Sequence, residues 1–125
     1  MPTAAQTWTS DDFRVDLTRR TGVDVVSVRG ELDIATSRRL RDVVLDPQLD
    51  EPAGVVADLS AVTFLDSTGI GVLVAMWRRA LGNGQRFAVV CPPGQPMRVL
   101  QLVHIDDLVD IRDDLDGALA ALALG

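Results

Sequence analysis

The sequence predicts one α/β domain in which helices alternate with strands after an opening β-hairpin. Two β-rich segments separated by a tight turn come first, and short apolar runs then alternate with segments of helical periodicity. The chain has 125 residues, 47% of them hydrophobic, which suffices for the core of a single domain. This order of elements implies a mostly parallel or mixed sheet packed against helices.

The N-terminal part of the chain divides into a tail and a hairpin. Residues 1–12 are small and polar, and we expect a flexible N-terminal segment there, with the folded domain over residues 13–125. Phe13–Arg20 alternates apolar and polar residues, and Val23–Gly30 is rich in valine, so both are predicted strands. The intervening "TG" predicts the turn that joins them.

The middle of the chain predicts a helix, a strand and a second helix. The first helix covers Thr36–Asp46, with Thr36 or Ser37 as its N-cap. The apolar run Gly54–Ser60 predicts a buried strand. The helix that follows continues to about Leu81 and ends at the next Gly-Asn-Gly.

The C-terminal part repeats this alternation. Arg86–Cys91 is predicted to be another buried strand, Pro96 the first residue of a short helix, and Leu108–Arg112 a final strand. Three aspartates then favour the start of a last helix. Its apolar stripe consists of Leu115, Ala118, Leu119 and Leu122.

Charge and composition exclude several classes of function. The net charge of −6 argues against binding to nucleic acids or to anionic membrane surfaces. All 12 basic residues are arginine, which removes lysine nucleophiles and the P-loop lysine. Cys91 is the one cysteine and cannot form an internal disulfide, and the N-terminus lacks a signal-peptide pattern. We therefore expect a cytoplasmic protein.

The stretch "TFLDSTGIG" (Thr63–Gly71) places hydroxyl groups where a strand gives way to a helix. A catalytic Ser67 would need a base, and His104 is the one histidine of the chain. Leu65 stands where the G-x-S-x-G elbow requires its first glycine. A small serine hydrolase is therefore an unfavoured alternative.

Other chemical motifs are also incomplete. Gly69 and Gly71 begin a dinucleotide pattern, but Val74 replaces its third glycine. Asp58 follows an apolar run as a phosphoryl-accepting aspartate would, yet no acidic pair or late lysine accompanies it. No cysteine and histidine cluster has the spacing of a zinc site.

The helix after "DSTG" has its own unusual features. Asp66 or Ser67 is predicted to cap it, while Gly69 and Gly71 each cost helix stability, up to about 1 kcal/mol, and suggest a close approach to the backbone. One predicted core stripe consists of Ile70, Leu73, Val74, Trp77 and Leu81. The opposite stripe, for which we favour a partner-binding face over burial on both sides, consists of Val72, Ala75, Met76 and Arg79.

Two motifs together resemble those of a known family. They are "GELDIAT" (Gly30–Thr36) and "DLSAVTFLDSTGIGVLV" (Asp58–Val74), in this order and spacing. The chain from about Phe13 to Leu124 resembles the STAS family, specifically bacterial anti-sigma factor antagonists. The resemblance implies a small mixed β-sheet with an N-terminal hairpin and about four helices packed mainly on one side.

The resemblance also implies a regulatory function without catalysis, cofactor or metal. Such a protein binds an anti-sigma factor that is also a serine kinase, and so frees a sigma factor for transcription. The kinase phosphorylates the antagonist, which then dissociates, and a metal-dependent serine phosphatase reverses the modification. The alternative is a phosphorylation-independent STAS scaffold or ligand-binding module.

Matched by position, the resemblance makes Ser67 the phosphorylation site, with Thr68 beside it. Asp66 is the motif aspartate, and Asp33 lies in the other loop that the family brings near the serine. We expect docking through the two motif loops and the second stripe of the helix. The partner-binding residues are then Glu31, Asp33, Thr36, Phe64, Asp66, Thr68, Gly69, Val72, Ala75, Met76 and Arg79.

Overall fold

One mixed sheet of six strands, lying side by side in chain order, organises the part of the chain that the structure describes. The structure is a computed structural model and describes residues 3–9, 12–44 and 52–124. The strands are β1 (Thr3–Thr9), β2 (Arg14–Arg20), β3 (Val23–Leu32), β4 (Gly54–Leu65), β5 (Arg86–Val90) and β6 (Asp110–Arg112). The helices are α1 (Ile34–Val44), α2 (Ser67–Gly82), α3 (Gln95–Leu102), a short 3-10 helix (Ile105–Asp107) and α4 (Leu115–Leu124).

The predicted hairpin and mixed sheet are confirmed. β2 and β3 pair antiparallel up to Arg20 and Val23, and the turn between them is formed by Thr21 and Gly22 at φ of 52° and 81°. Two successive residues with positive φ match the twist of a two-residue hairpin. From β3 to β6 every neighbouring pair of strands is parallel.

The prediction of a flexible N-terminal segment is wrong for Thr3–Thr9. These residues form β1, which pairs antiparallel with β2 at the edge of the sheet. The segment lacks the apolar alternation that marks a half-buried strand, and its backbone pairing with β2 is what orders it. The predicted boundary at residue 13 therefore excluded a strand of the sheet, while residues 1, 2, 10 and 11 lie outside the described residues.

The sheet has a different core on each face. In β3, Val26 and Val28 belong to the larger core, which α1, α2 and α3 cover, whereas Val23 and Val25 face α4. Because successive strand residues point to opposite faces, these two sets define two layers. Three helices on one side and α4 on the other confirm the predicted packing. The apolar stripe of α4 also lies in contact with the sheet as predicted.

β4 is longer than the predicted strand, which ended at Ser60. At two places β4 advances one more residue than its neighbour β3, so it contains two β-bulges. The bulges place Leu59, Val62 and Leu65 in the same core although they are three residues apart. β4 therefore carries the chain directly to Asp66 at the start of α2.

The remaining boundaries differ from the predicted ones by a few residues. α1 begins at Ile34 rather than Thr36, and the last two residues of that predicted helix lie outside the described residues. α3 begins one residue before Pro96, which occupies its first turn. β6 begins at Asp110, two residues later than predicted.

Candidate functional site

Two helix-opening loops meet at one edge of the sheet. β3 and β4 are parallel neighbours, and their last residues, Leu32 and Leu65, are paired in register. Asp33 and Asp66 follow them directly, and the Asp66 N–H donates to the Leu32 carbonyl at 3.2 Å. The two sequence motifs therefore lie together, as the resemblance implied.

Asp66 is the N-cap of α2. Its carboxylate oxygen Oδ1 accepts hydrogen bonds from the N–H groups of Thr68 at 2.9 Å and Gly69 at 3.3 Å, and from the Thr68 hydroxyl. These contacts satisfy backbone donors that the first turn of a helix leaves unpaired. Of the two caps that the sequence left open, Asp66 or Ser67, the structure selects Asp66.

Asp33 caps α1 in the same way. Its Oδ1 accepts from the N–H groups of Ala35 at 3.0 Å and Thr36 at 3.1 Å, while the Thr36 hydroxyl accepts from the Asp33 N–H at 2.9 Å. The prediction of Thr36 or Ser37 as the cap is therefore wrong. The helix starts earlier because the reciprocal bonds between Asp33 and Thr36 enclose its first turn.

Both capping carboxylates are held in the charged form. The backbone bond from Thr36 is the main cause that lowers the pKa of Asp33, and the nearby charge of Asp66 works against it. The hydroxyl of Thr68 is the main cause that lowers the pKa of Asp66, with further help from the backbone N–H groups. At neutral pH the two loops therefore present two negative charges close together.

The two hydroxyls of the second motif have different surroundings. Ser67 is the first residue of α2 and is exposed, and its hydroxyl makes no hydrogen bond with any residue that the structure describes. The Thr68 hydroxyl is bonded to Asp66 and lies 3.2 Å from the hydroxyl of Ser37, which is buried in α1. Ser67 is therefore the hydroxyl that an incoming group can reach.

A glutamine from a distant part of the chain holds the strand that leads to Ser67. β4 pairs with β5 only as far as Asp58 and Val90, so the later part of β4 needs other partners on that side. The side-chain amide of Gln95, at the start of α3, accepts from the Leu65 N–H at 2.9 Å and donates to the Leu65 carbonyl at 3.0 Å. The amide thus replaces a neighbouring strand.

The predicted partner face of α2 is wrong in its orientation. Val72 and Met76 are only 2% and 5% exposed and pack into the core under α1–α3, whereas Leu81, predicted as core, is 59% exposed. Ala75 and Arg79 lie half-buried at the margin. A helix that is apolar nearly all round does not define its own buried side, and the contacts with the sheet decide it.

The two glycines near the start of α2 differ in their surroundings. A Cβ atom at Gly69 would lie 2.5 Å from Cδ1 of Leu65 and 3.1 Å from Cβ of Leu32, so the predicted close approach is confirmed there. A Cβ atom at Gly71 would have no other atom within 4 Å, apart from its own helix and chain neighbours. The fold therefore explains Gly69 and leaves Gly71 unexplained.

Apolar and acidic residues lie in and beside the two motif loops. Phe64, from the end of β4, is 39% exposed, and Ile34, the first residue of α1, is 68% exposed. Glu31 is exposed and lines an open groove together with Asp12 and Asp33. Sequence reasoning missed Ile34 and Asp12 as site residues. Ile34 could have been identified from the sequence by its position directly after a helix cap. Asp12 could not, because only the fold brings it to this loop.

The described residues do not show the geometry expected for a serine hydrolase or for a phosphoryl-accepting aspartate. His104 is exposed in the turn after α3, where its Nδ1 lies 3.4 Å from Oδ2 of Asp107, and no hydrogen bond in the described residues joins it to Ser67. Asp58 lies within β4 rather than at its end and accepts from the Ser60 N–H and hydroxyl. Among the described residues, no cluster of three or more histidine, cysteine or acidic side chains is arranged to hold a metal.

Comparison with known proteins identifies the family. A model of the STAS domain matches residues 14–118. The chain is 31% identical over 115 residues to the anti-sigma-F factor antagonist RsfB of Mycobacterium tuberculosis, covering 92% of this chain and 93% of that protein. It is 25% identical over 88 residues to the anti-sigma-B factor antagonist of Staphylococcus aureus, covering 70% of this chain and 82% of that protein.

A solved structure agrees with this result. The crystal structure of an anti-sigma factor antagonist from Mycobacterium paratuberculosis matches with a TM-score of 0.84 and 34% identity, over 92% of this chain and 97% of that chain. The chain belongs to the STAS domain family, as the two motifs suggested. In the described part of the chain, no helix has the length and apolar character needed to span a membrane.

The Thr68 hydroxyl is expected to control how stability responds to acid. A carboxylate with a lowered pKa stabilises the fold above its ordinary pKa of 3.8, and this stability is lost as the pH falls through the folded-state value. Thr68→Val removes the main cause of the lowering at Asp66. We expect the free energy of unfolding of the variant to be about 1 kcal/mol lower than that of the parent at neutral pH. On acidification towards about pH 3, this free energy should decrease less in the variant than in the parent.

Urea unfolding at several pH values measures this difference. Thr68→Ser keeps the hydroxyl and serves as the control, which should retain the acid dependence of the parent. An equal loss of stability on acidification in the valine variant and the parent would contradict the assignment.

Proposed function

We propose that this STAS protein is an anti-sigma factor antagonist controlled by phosphorylation of Ser67. In its unphosphorylated state it binds an anti-sigma factor that is also a serine kinase, and so frees a sigma factor for transcription. The kinase transfers phosphate to Ser67 and the complex dissociates, after which a metal-dependent serine phosphatase restores the binding form. The protein acts in the cytoplasm as a binding module, without catalysis of its own.

The observation that carries this proposal is the difference between the two adjacent hydroxyls. Ser67 is exposed and unbonded within the described residues, whereas the Thr68 hydroxyl is bonded to Asp66 and Ser37. A kinase must place the terminal phosphate of its nucleotide in line with a free hydroxyl. The similarity to anti-sigma factor antagonists of Mycobacterium tuberculosis and Staphylococcus aureus supports the same function.

The docking surface that we propose combines the two motif loops with the outer side of α2. The exposed Glu31 and Phe64 and the half-buried Asp33 contribute to this surface, and the exposed Ile34 extends it at the start of α1. The roles proposed for Asp66, Thr68, Thr36 and Gly69 are to shape the loops, through the caps and the close packing described above. The half-buried Ala75 and Arg79 lie at its margin.

The proposed switch acts through local charge rather than through unfolding. The carboxylate of Asp66 already occupies the N–H groups of Thr68 and Gly69, so the first turn of α2 is closed before any phosphate arrives. A phosphate on Ser67 adds about −1.5 to −2 charges beside the ionised Asp66. The negative charge at the docking surface therefore increases while the helix remains in place.

Phosphate transfer by the partner tests this proposal. Extract from the source cells is passed over the immobilised chain, and the retained fraction is incubated with ATP and with fresh protein. We expect one phosphate on the parent and on Thr68→Val, located at Ser67 by fragmentation mass spectrometry, and none on Ser67→Ala. The labelling activity then identifies the kinase, which is purified for measurements of binding.

A different outcome would favour one of the alternatives. A partner that binds the parent and the Ser67→Asp variant equally, with no phosphate at Ser67, would indicate a phosphorylation-independent STAS scaffold. Hydrolysis of an ester panel by the purified chain, abolished in Ser67→Ala, would indicate a serine hydrolase.

A further inference from the structure

One exposed ridge of α2 begins at Ser67. Residues three or four positions apart lie on the same side of a helix, and from Ser67 this spacing leads to Gly71, Val74 and Arg78. Ser67, Gly71 and Arg78 are exposed and Val74 is half-buried. This ridge differs from the predicted partner stripe, of which Val72 and Met76 belong to the core.

No contact within the described fold explains the glycine at position 71 of this ridge. It lies inside α2, its φ is not among the positive values of the chain, and a Cβ atom there would contact nothing within 4 Å beyond its own helix. Glycine is among the least favourable residues for a helix interior, and alanine would fit this position without strain. Gly69 differs, because Leu65 and Leu32 occupy the space that its side chain would need.

We propose that Gly71 is a specificity-determining contact residue, at which the anti-sigma factor packs directly against the bare backbone of α2. This inference rests on the proposed function and adds a contact to it. Gly71 lies one helical turn after Ser67, so a side chain there would stand beside the hydroxyl that the kinase must reach. The missing side chain keeps the approach to Ser67 open and lets the partner come close.

The charges around the ridge specify what the partner presents. At the Ser67 end lie the ionised carboxylates of Asp33 and Asp66, and at the other end lies the exposed Arg78. A complementary partner therefore carries a basic group opposite the two aspartates, a small apolar surface opposite Gly71 and Val74, and an acidic group near Arg78. We assign the face to the anti-sigma factor because the proposed function brings that partner's kinase site to Ser67, at the acidic end of the ridge.

Single substitutions at Gly71 separate binding from stability. Gly71→Ala is expected to raise the midpoint of thermal unfolding, since alanine favours the helix, and yet to weaken binding of the purified anti-sigma factor kinase at least tenfold. Gly71→Leu is expected to weaken binding of the kinase further and to slow phosphorylation of Ser67. Gly82→Ala is the matched control, because Gly82 is also in α2 and also has open space around its Cβ position. It should bind as the parent does.

Each outcome of this experiment decides the inference. Parent-like binding by both Gly71→Ala and Gly71→Leu would overturn the contact while leaving the proposed function intact. A change in oligomeric state of Gly71→Leu, with kinase binding unchanged, would assign the face to a second copy of the chain and overturn the inference. If the parent itself neither binds the kinase nor is phosphorylated at Ser67, the proposed function and the inference fail together.

Discussion

Ser67→Asp is expected to weaken binding to the anti-sigma factor about a hundredfold, and phosphorylation of Ser67 is expected to weaken it more. Two like charges about 4 Å apart repel by about 1 kcal/mol in water and by about 4 kcal/mol at an effective dielectric constant near 20. The new charge lies beside the ionised Asp66. When the partner excludes water from this pair, the repulsion increases by roughly 3 kcal/mol, which corresponds to about a hundredfold in affinity.

Titration calorimetry with the purified kinase measures this effect. Ser67→Asn is the matched control, because asparagine has nearly the shape of aspartate but no charge, and most of the affinity should remain. Salt screens the pair while it is exposed but hardly at all once the partner excludes water, so the difference between the two variants should persist from about 0.05 M to about 0.5 M salt. An aspartate variant that binds as tightly as the parent would refute the phosphorylation switch.

Gly30→Ala is expected to lower the free energy of unfolding by about 3 kcal/mol. Gly30 has φ of 111°, a conformation that costs other residues about 1–3 kcal/mol. A Cβ atom there would also overlap the backbone carbonyl oxygen of Asp12 and lie 3.3 Å from Cα of Phe13. Because both contacts involve backbone atoms, β2 and β3 would have to separate locally. The midpoint of thermal unfolding should fall by roughly 10 °C.

Gly22→Ala separates the two causes of this effect. Gly22 also has a positive φ, 81°, but a Cβ atom there would meet nothing within 4 Å. This control therefore reports the conformational cost alone, about 1 kcal/mol. Urea unfolding of both variants gives the comparison, and equal losses would show that the overlap with Asp12 does not contribute.

The position of Gly30 also links stability to the proposed site. It is the first residue of "GELD", and the close approach that it permits brings Asp12 to the groove beside Glu31 and Asp33. A partial separation of the strands in Gly30→Ala should therefore disturb this acidic rim as well as the core.

Much of the fold and the centre of the site were predictable from the sequence because their signals are local. The turn at Thr21 and Gly22, the cap at Asp66 and the apolar stripe of α4 each depend on residues that are close in the chain. The order of strands and helices follows from the same local patterns. The juxtaposition of the two motifs then follows from parallel strands, whose ends meet at one edge of the sheet.

The orientation of α2 was not predictable, because residues on both of its sides are apolar. Only packing against the sheet decides that Val72 and Met76 are buried while Ser67 and Gly71 face outwards. The extension of β4 was hidden for a related reason. Its two bulges replace the two-residue alternation of a regular strand by a three-residue spacing of buried side chains.

From the amino-acid pattern alone one can therefore predict most of the helices and strands, their order, and the hydroxyl group at the start of α2. Only the folded structure shows that Thr3–Thr9 form an edge strand, that Gln95 holds the backbone of Leu65, and that the Thr68 hydroxyl meets Ser37 of α1. The reason is physical. Caps and turns are satisfied by close neighbours in the chain, whereas these contacts form only once separate strands and helices have been brought together.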